Sequence, residues 1–73
     1  MTHDLKIKYE FAQLHFQGKK DWELRLNDRD FKTGDLIRFT VLEIGFVYTR
    51  TIEAIFNDFG LQENYVILSL KKH

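Results

Sequence analysis

A cluster of charged side chains surrounds the one tryptophan of the chain and could form a binding site. Residues 18–25 read GKKDWELR, with three cations and two carboxylates. Lys20 offers a mobile point charge, and if partly desolvated it could act as a base or nucleophile. Arg25 offers a planar fork of donors suited to phosphate or carboxylate. Glu23 could accept hydrogen bonds from the exocyclic amine of a base, as acidic side chains do with cytosine.

Two residues further along the chain could complete such a site. Arg29, in the turn sequence NDRD, could reach a phosphate from a loop. Tyr48 could offer an aromatic face on which a base stacks, as could Trp22. Simpler interpretations stay open. Glu23 and Arg25 could form a solvated surface ion pair worth about 0–1 kcal/mol, and the acids that flank Arg29 could satisfy it locally.

The elements that must position these residues are short. Apolar periodicity and turn residues predict strands at residues 5–7, 22–26, 36–44, 47–56 and 65–70, and one helix at 9–17. Gly18 is expected to end the helix in the left-handed conformation, and Gly45-Phe46 to form a hairpin turn. The order β-α-β-β-β-β predicts a mainly β (α+β) domain. Its small twisted sheet curls toward a barrel, which buries the apolar face.

The same patterns predict which way individual side chains point. Alternation in WELRL directs Trp22, Leu24 and Leu26 toward the core, with Glu23 and Arg25 on the opposite face, which is turned outward or into a cleft. Four aromatic residues are also expected in the core: Tyr9, Phe11, Phe16 and Phe31. The strand at 65–70 is expected to be central because it begins apolar on both faces. Residues 71–73 are expected to leave the sheet.

Composition and charge restrict the class of protein. The 73 residues fit one domain, residues 1–73. Eleven basic and eleven acidic side chains exclude a globally basic nucleic-acid binder but not a local basic surface. Cysteine is absent, which excludes disulfides and zinc–thiolate sites. No apolar run approaches the roughly 18 residues that span a bilayer, and we expect a cytoplasmic protein without membrane contact.

Neither a metal nor a cofactor is expected. His3 and His15 do not have the spacing of metal ligands, and His15, on a helix face, is expected to be packed or half-exposed. The sequence has no Gly-rich phosphate loop and no nucleophile elbow.

The charged cluster also carries a family resemblance. Gly18, Lys20, Glu23 and Arg25 match the G-x-K-x-x-E-x-R signature of ASCH domains, named from activating signal cointegrator-1 homology. The whole chain resembles a bacterial and phage family of that superfamily, the domain-of-unknown-function 3850 family. The further matching segments are residues 3–7, 27–31, 34–35, 48–49, 60–61 and 65–68.

The resemblance implies a PUA-like pseudo-barrel with one short helix between the first two strands. It also implies that RNA or a nucleotide binds in a cleft beside the helix, lined by the signature residues. One branch of the superfamily hydrolyses the acetyl amide of N4-acetylcytidine with the signature lysine, which Lys20 matches. The threonine used by that branch corresponds to Glu23 here. Its catalytic glutamate lies on a helical insertion that has no counterpart in this sequence.

Three hypotheses follow. The first is a small module that binds RNA or a nucleotide-like ligand through Lys20, Glu23 and Arg25, with Arg29 and Tyr48 as further ligand-binding candidates. The second is an amidohydrolase acting on a modified nucleoside, in which Lys20 and Glu23 would be catalytic. The third is a phage-type interaction domain that binds a host or phage protein.

Overall fold

Five strands form one sheet that curls into a half-barrel, with a single helix after the first strand. The computed structural model describes residues 1–58 and 60–72. The elements in chain order are β1 (Thr2–Ile7), α1 (Tyr9–Phe16), β2 (Trp22–Leu26), β3 (Leu36–Val41), β4 (Val47–Phe56) and β5 (Tyr65–Lys72). The strand order across the sheet is β1-β3-β4-β5-β2. The predicted fold class, mainly β with one short helix between the first two strands, is confirmed.

The strand pairing leaves β1 and β2 as the two edges of the sheet. β1 pairs with β3 in parallel, and the other three pairings are antiparallel. The predicted hairpin between β3 and β4 is present, although β3 ends at Val41, three residues earlier than expected. β5 has a partner on each side, as its apolar sequence indicated.

The inner face of the half-barrel is built by strict alternation. Every second residue of β1, of β3 and of β5 as far as Leu70 is buried, which is the period of a strand with one solvent-shielded face. The buried apolar residues are Leu5, Ile7, Ala12, Phe31, Ile37, Phe39, Val41, Ile52, Val66, Leu68 and Leu70. Each large side chain of this set stabilises the fold by about 1.5–3 kcal/mol through burial. Phe31 is buried as predicted, and it packs on His3 with ring centroids 4.8 Å apart.

The helix is short because Gly18, three residues after the buried His15, ends it. Gly18 has φ +70°, a conformation that costs a residue with a Cβ about 1–2 kcal/mol. The backbone N–H groups of Gly18 and Lys19 donate to the carbonyls of His15 and Leu14 at 3.1 and 2.9 Å. These bonds close the helix in the way expected for a left-handed glycine cap. The predicted cap is confirmed.

The predicted direction of the apolar side chains of β2 was wrong. Trp22, Leu24 and Leu26 are 47%, 48% and 46% exposed, while Glu23 between them is buried. β2 is an edge strand, and its apolar residues lie on the outer face of the sheet opposite Ser69, Ile67 and Tyr65 of β5.

The aromatic residues of α1 were also misplaced. Tyr9, Phe11 and Phe16 are about two-fifths exposed, at 41%, 41% and 40%. An eight-residue helix presents only a narrow stripe to the sheet, and Ala12 and His15 fill that stripe.

The end of the chain does not leave the sheet as predicted. β5 continues through Lys71 and Lys72, which pair with Thr51 and Arg50. β4 is ten residues long, so it provides pairing partners for residues of β5 that lie beyond the apolar segment. The third residue of the expected tail, His73, lies outside the described residues. Within residues 1–58 and 60–72, no helix is long and apolar enough to cross a membrane.

Candidate functional site

The half-barrel is open along a seam between its two edge strands, and a cleft lies in this seam. The cleft has a volume of about 340 Å³. One wall comes from the end of β1 and the start of α1, and the other from residues 20–25. The lining residues are Lys6, Ile7, Lys8, Phe11, Lys20, Trp22, Glu23, Leu24 and Arg25. The three signature residues Lys20, Glu23 and Arg25 therefore converge on one hollow beside the helix.

Glu23 is the buried anion at the base of this cleft. Its Oε1 lies 2.8 Å from Lys20 Nζ and 3.1 Å from His15 Nε2, and its Oε2 lies 3.2 Å from Arg25 Nε. The Glu23 side chain is only 6% exposed, and burial by itself raises its pKa. The contacts with His15 and Lys20 and the charges of Lys20 and Arg25 outweigh burial, so the pKa of Glu23 falls below its ordinary value. Glu23 is therefore a carboxylate at neutral pH.

A buried histidine, His15, and a half-buried tyrosine, Tyr48, lie behind Glu23. His15 Nδ1 lies 2.7 Å from the hydroxyl oxygen of Tyr48. Nε2 of the same ring is within ion-pair distance of Glu23, but the two groups are poorly aligned for a hydrogen bond. A carboxylate facing Nε2 favours the tautomer with its proton there, so we assign Tyr48 as the donor to Nδ1. Burial raises the pKa of Tyr48 to about 12, which keeps its hydroxyl protonated.

Lys20 is held by two aromatic rings as well as by Glu23. Its Nζ lies 4.8 Å from the ring centroid of Phe11 and 4.8 Å from that of Trp22. Both distances are within the range of cation–π attraction. The side chain of Lys20 is only 13% exposed. These contacts fix the ammonium group between the helix and β2, at the wall of the cleft.

Arg25 connects the two edges of the seam. Its Nε donates to Glu23 on its own strand, and its Nη2 donates to the carbonyl oxygen of Lys6 on β1 at 2.9 Å. A guanidinium group has five N–H donors, so three are left over for other partners. The guanidinium thus bridges the edges where no strand pairing joins them, and it still presents donors to the cleft.

The cleft is strongly cationic for a chain with no net charge. Four of its lining residues are basic, namely Lys6, Lys8, Lys20 and Arg25, and one is acidic, so the formal charge is 4 − 1 = +3. Glu23 has three protein partners on its two oxygens, which leaves roughly one acceptor position on Oε2 for a ligand. The arrangement can bind an anion beside two aromatic rings, together with one hydrogen-bond donor group.

The other two predicted ligand-binding residues lie outside this cleft. Tyr48 is behind His15, where it stacks on Phe39 with ring centroids 5.2 Å apart. Arg29 lies in the loop after β2, with its Nε 3.8 Å from Asp28, and lines a smaller neighbouring hollow. Their roles in binding stay predictions.

Sequence reasoning missed four residues of the site: Lys6, Lys8, Phe11 and His15. The first three belong to the β1–α1 junction, and only the curl of the sheet brings that junction to β2. For His15, the helical spacing from Ala12 was a usable signal, since it places both residues on the buried face.

Among the residues that the structure describes, no group of three His, Cys, Asp or Glu side chains could hold a metal ion. The acidic residues of the 28–35 loop are instead occupied by neighbouring cations and backbone groups. Lys32 lies 3.3 Å from Asp30, and His3 lies 2.7 Å from Asp35.

Comparison with known proteins identifies the family. A search of curated proteins finds no match to the chain. The family model named Domain of unknown function (DUF3850) matches residues 2–70, nearly the whole sequence. The chain therefore belongs to the DUF3850 family.

Proposed function

We propose that this protein is an ASCH-type, PUA-like module that binds RNA or a nucleotide-like ligand in the cleft at the seam. The half-barrel with its helix after β1 supports the PUA-like assignment. The signature side chains Lys20, Glu23 and Arg25 line one cleft, which supports the ASCH assignment. The cationic cleft of formal charge +3 in a chain of zero net charge is the observation that carries the proposal.

Each part of a nucleotide has a suitable partner in the cleft. Lys6, Lys8 and the remaining donors of Arg25 suit a phosphate, since Arg binds phosphate through paired donors and Lys as a point charge. The exposed faces of Trp22 and Phe11 suit a base, because stacking on an aromatic ring is worth about 1–3 kcal/mol per base.

Glu23 adds a preference for the kind of base. It is ionised and presents acceptor capacity toward the cleft, so it favours a base edge that carries a donor such as an exocyclic amine. A base that offers only acceptors at this position would face a carboxylate without a proton between them, which is unfavourable.

The experiment compares two double variants in their binding of a short fluorescent single-stranded RNA. Lys6→Ala/Lys8→Ala removes two exposed cations from the cleft, and the control Lys32→Ala/Arg38→Ala removes two cations outside it. We expect the first variant to bind more weakly and to reduce the salt slope by about 0.7 for each lost phosphate contact. The control should retain the wild-type affinity and slope. Equal behaviour of the two variants, or no binding at low salt, refutes the proposal.

Incubation of the protein with a modified RNA tests the hydrolase hypothesis. The observation in its favour is the pair formed by Lys20 Nζ and Glu23, 2.8 Å apart. As an ammonium group that donates to a carboxylate, however, Lys20 has no free electron pair for attack. We expect an RNA that contains N4-acetylcytidine to be recovered unchanged. Release of acetate, with conversion of the N4-acetylcytidine residue of the RNA to cytidine, would show catalysis instead if Lys20→Arg abolished it.

A further inference from the structure

A second hollow adjoins the cleft along the same seam. It has a volume of about 140 Å³ and is lined by Leu5, Arg25, Leu26, Asp28, Arg29 and Phe31. The two hollows follow the edge strands in the same direction. Ile7 of β1 lines the first and Leu5 the second, while Leu24 of β2 lines the first and Leu26 the second. The second hollow therefore extends the cleft toward the loop after β2.

Of the residues that the structure describes, Arg25 alone lines both hollows. Its Nε and Nη2 are held by Glu23 and by the carbonyl oxygen of Lys6, which fixes the plane of the guanidinium across the seam. The remaining donors sit at the boundary between the two hollows. A group that lies on this boundary and accepts several hydrogen bonds would meet a preorganised partner.

The second hollow also has a cation in excess. Arg25 and Arg29 face one carboxylate, Asp28. The Arg29 Nε is 3.8 Å from Asp28, and both side chains are about half exposed, so this ion pair is loose and its guanidinium can take another partner. Arg29 also acts across the seam. It is among the causes that lower the pKa of Asp4 on β1, after the larger effect of the Arg38 hydrogen bond.

The two volumes suggest how a ligand divides between the hollows. Small-molecule sites usually enclose about 300–1,000 Å³, so the 340 Å³ cleft can hold one nucleotide-sized group. The 140 Å³ hollow is too small for an independent ligand of that kind. It is large enough for part of a group that is tethered to the occupant of the first.

From this geometry we infer that the ligand is a strand of at least two linked nucleotides rather than a mononucleotide. One base occupies the cleft, the connecting phosphate lies on Arg25, and the neighbouring sugar-phosphate extends into the second hollow toward Arg29. This inference rests on the proposed function and specifies its ligand class. It also gives Arg29 a role in binding that its position outside the first cleft does not suggest.

Calorimetric titration with 5′-phosphorylated cytidine oligomers of one, two and three residues tests the inference. We expect the affinity to rise about tenfold or more from one residue to two, the gain from one charge-assisted phosphate contact. Arg29→Ala should remove most of this gain and leave the affinity for the mononucleotide unchanged. The matched control Lys32→Ala, which removes a more exposed cation from the same loop, should change neither value.

The outcomes separate this inference from the proposed function. If the mononucleotide and the dinucleotide bind equally well, or if Arg29→Ala weakens both alike, the inference is wrong and the single-nucleotide cleft stands. If Lys32→Ala weakens the dinucleotide as much as Arg29→Ala does, the gain reflects nonspecific charge and the inference is again wrong. If none of the three oligomers binds at low salt, both proposals fail.

Discussion

Replacing Glu23 by glutamine removes one charge from the centre of the site while keeping the shape of the side chain. Glu23 is 6% exposed, and its three partners Lys20, His15 and Arg25 are 13%, 1% and 26% exposed. The variant therefore leaves two cations and a histidine in a poorly solvated space without their counter-ion. We expect it to destabilise the fold, because uncompensated buried charge is costly.

The size of the effect can be bounded from the geometry. Loss of one partner of a buried ion pair typically costs about 3–5 kcal/mol. Glutamine keeps one acceptor oxygen for Lys20, and Arg25 retains its bond to the Lys6 carbonyl, so we expect about 2–3 kcal/mol. A domain of this size has a total stability of about 4–11 kcal/mol. The loss should lower the melting temperature by roughly 10–20 °C.

The dependence on pH identifies the carboxylate as the cause. The pKa of Glu23 is lower in the folded protein than its ordinary value of 4.5. A lowered pKa means that ionised Glu23 stabilises the fold above the unfolded-state pKa, and that this contribution is lost as the pH falls through the folded-state pKa. Thermal unfolding followed by circular dichroism should show the full difference between wild type and Glu23→Gln near neutral pH. The difference should shrink as the pH falls below about 4.5.

Asp4→Asn is the matched control for this experiment. Asp4 also loses a charge that pairs with an arginine, but the Asp4 and Arg38 side chains are 64% and 51% exposed. We expect a much smaller change in melting temperature, because solvent screens exposed pairs. If Glu23→Gln melts within the same few degrees as Asp4→Asn, or if its deficit is constant with pH, the description of Glu23 as a buried structural anion is wrong.

Three further predictions follow from other contacts. Tyr48→Phe should remove from the ultraviolet pH titration a phenol with a pKa of about 12. Because burial raises this pKa, the stabilisation by the neutral phenol is fully present below the ordinary pKa of 10.0 and is lost as the pH rises through about 12. Gly18→Ala should cost about 1–2 kcal/mol in denaturant unfolding, since its φ of +70° disfavours a Cβ. Phe31→Ala should cost about 3–5 kcal/mol, since the ring is buried against His3.

Each of these predictions has a contradicting result. If Tyr48→Phe instead removes a phenol that ionises near the ordinary pKa of 10.0, the hydroxyl of Tyr48 is not shielded from solvent. For the glycine, the control is Gly18→Asn, since asparagine tolerates positive φ better than alanine; equal losses would argue against the cap. For Phe31, a loss below about 1 kcal/mol would place the ring at the surface.

The fold was largely predictable because most strands follow simple rules. β-branched and aromatic residues indicated β3, the apolar run at residues 65–70 indicated β5, and the Gly18 cap marked the end of the helix. The parallel pairing of β1 with β3 was not predicted, because it joins segments about 34 residues apart that have no local pairing signal. The extension of β5 into Lys71 and Lys72 depends in the same way on the length of its partner β4.

The site was predictable only in part, because sequence alternation does not say which face of a strand is inside. In β2 the apolar residues turned out to be exposed, while Glu23 is buried and Arg25 is half-buried. What reversed the usual rule is that Glu23 has Lys20, His15 and Arg25 as partners. Lys20 and Arg25 are close to Glu23 in sequence, but His15 lies on the helix. The contact between His15 and Glu23 therefore depends on the fold and could not be read from the sequence.

Trp22 lies where its fluorescence can report binding in the cleft. It is the sole tryptophan of the chain, and its ring lies in the wall of the cleft against the ammonium group of Lys20. The tryptophan fluorescence of the protein therefore comes from one indole at one place. Occupancy of the cleft could be followed through quenching or a shift of that emission, without a dye or label on either molecule.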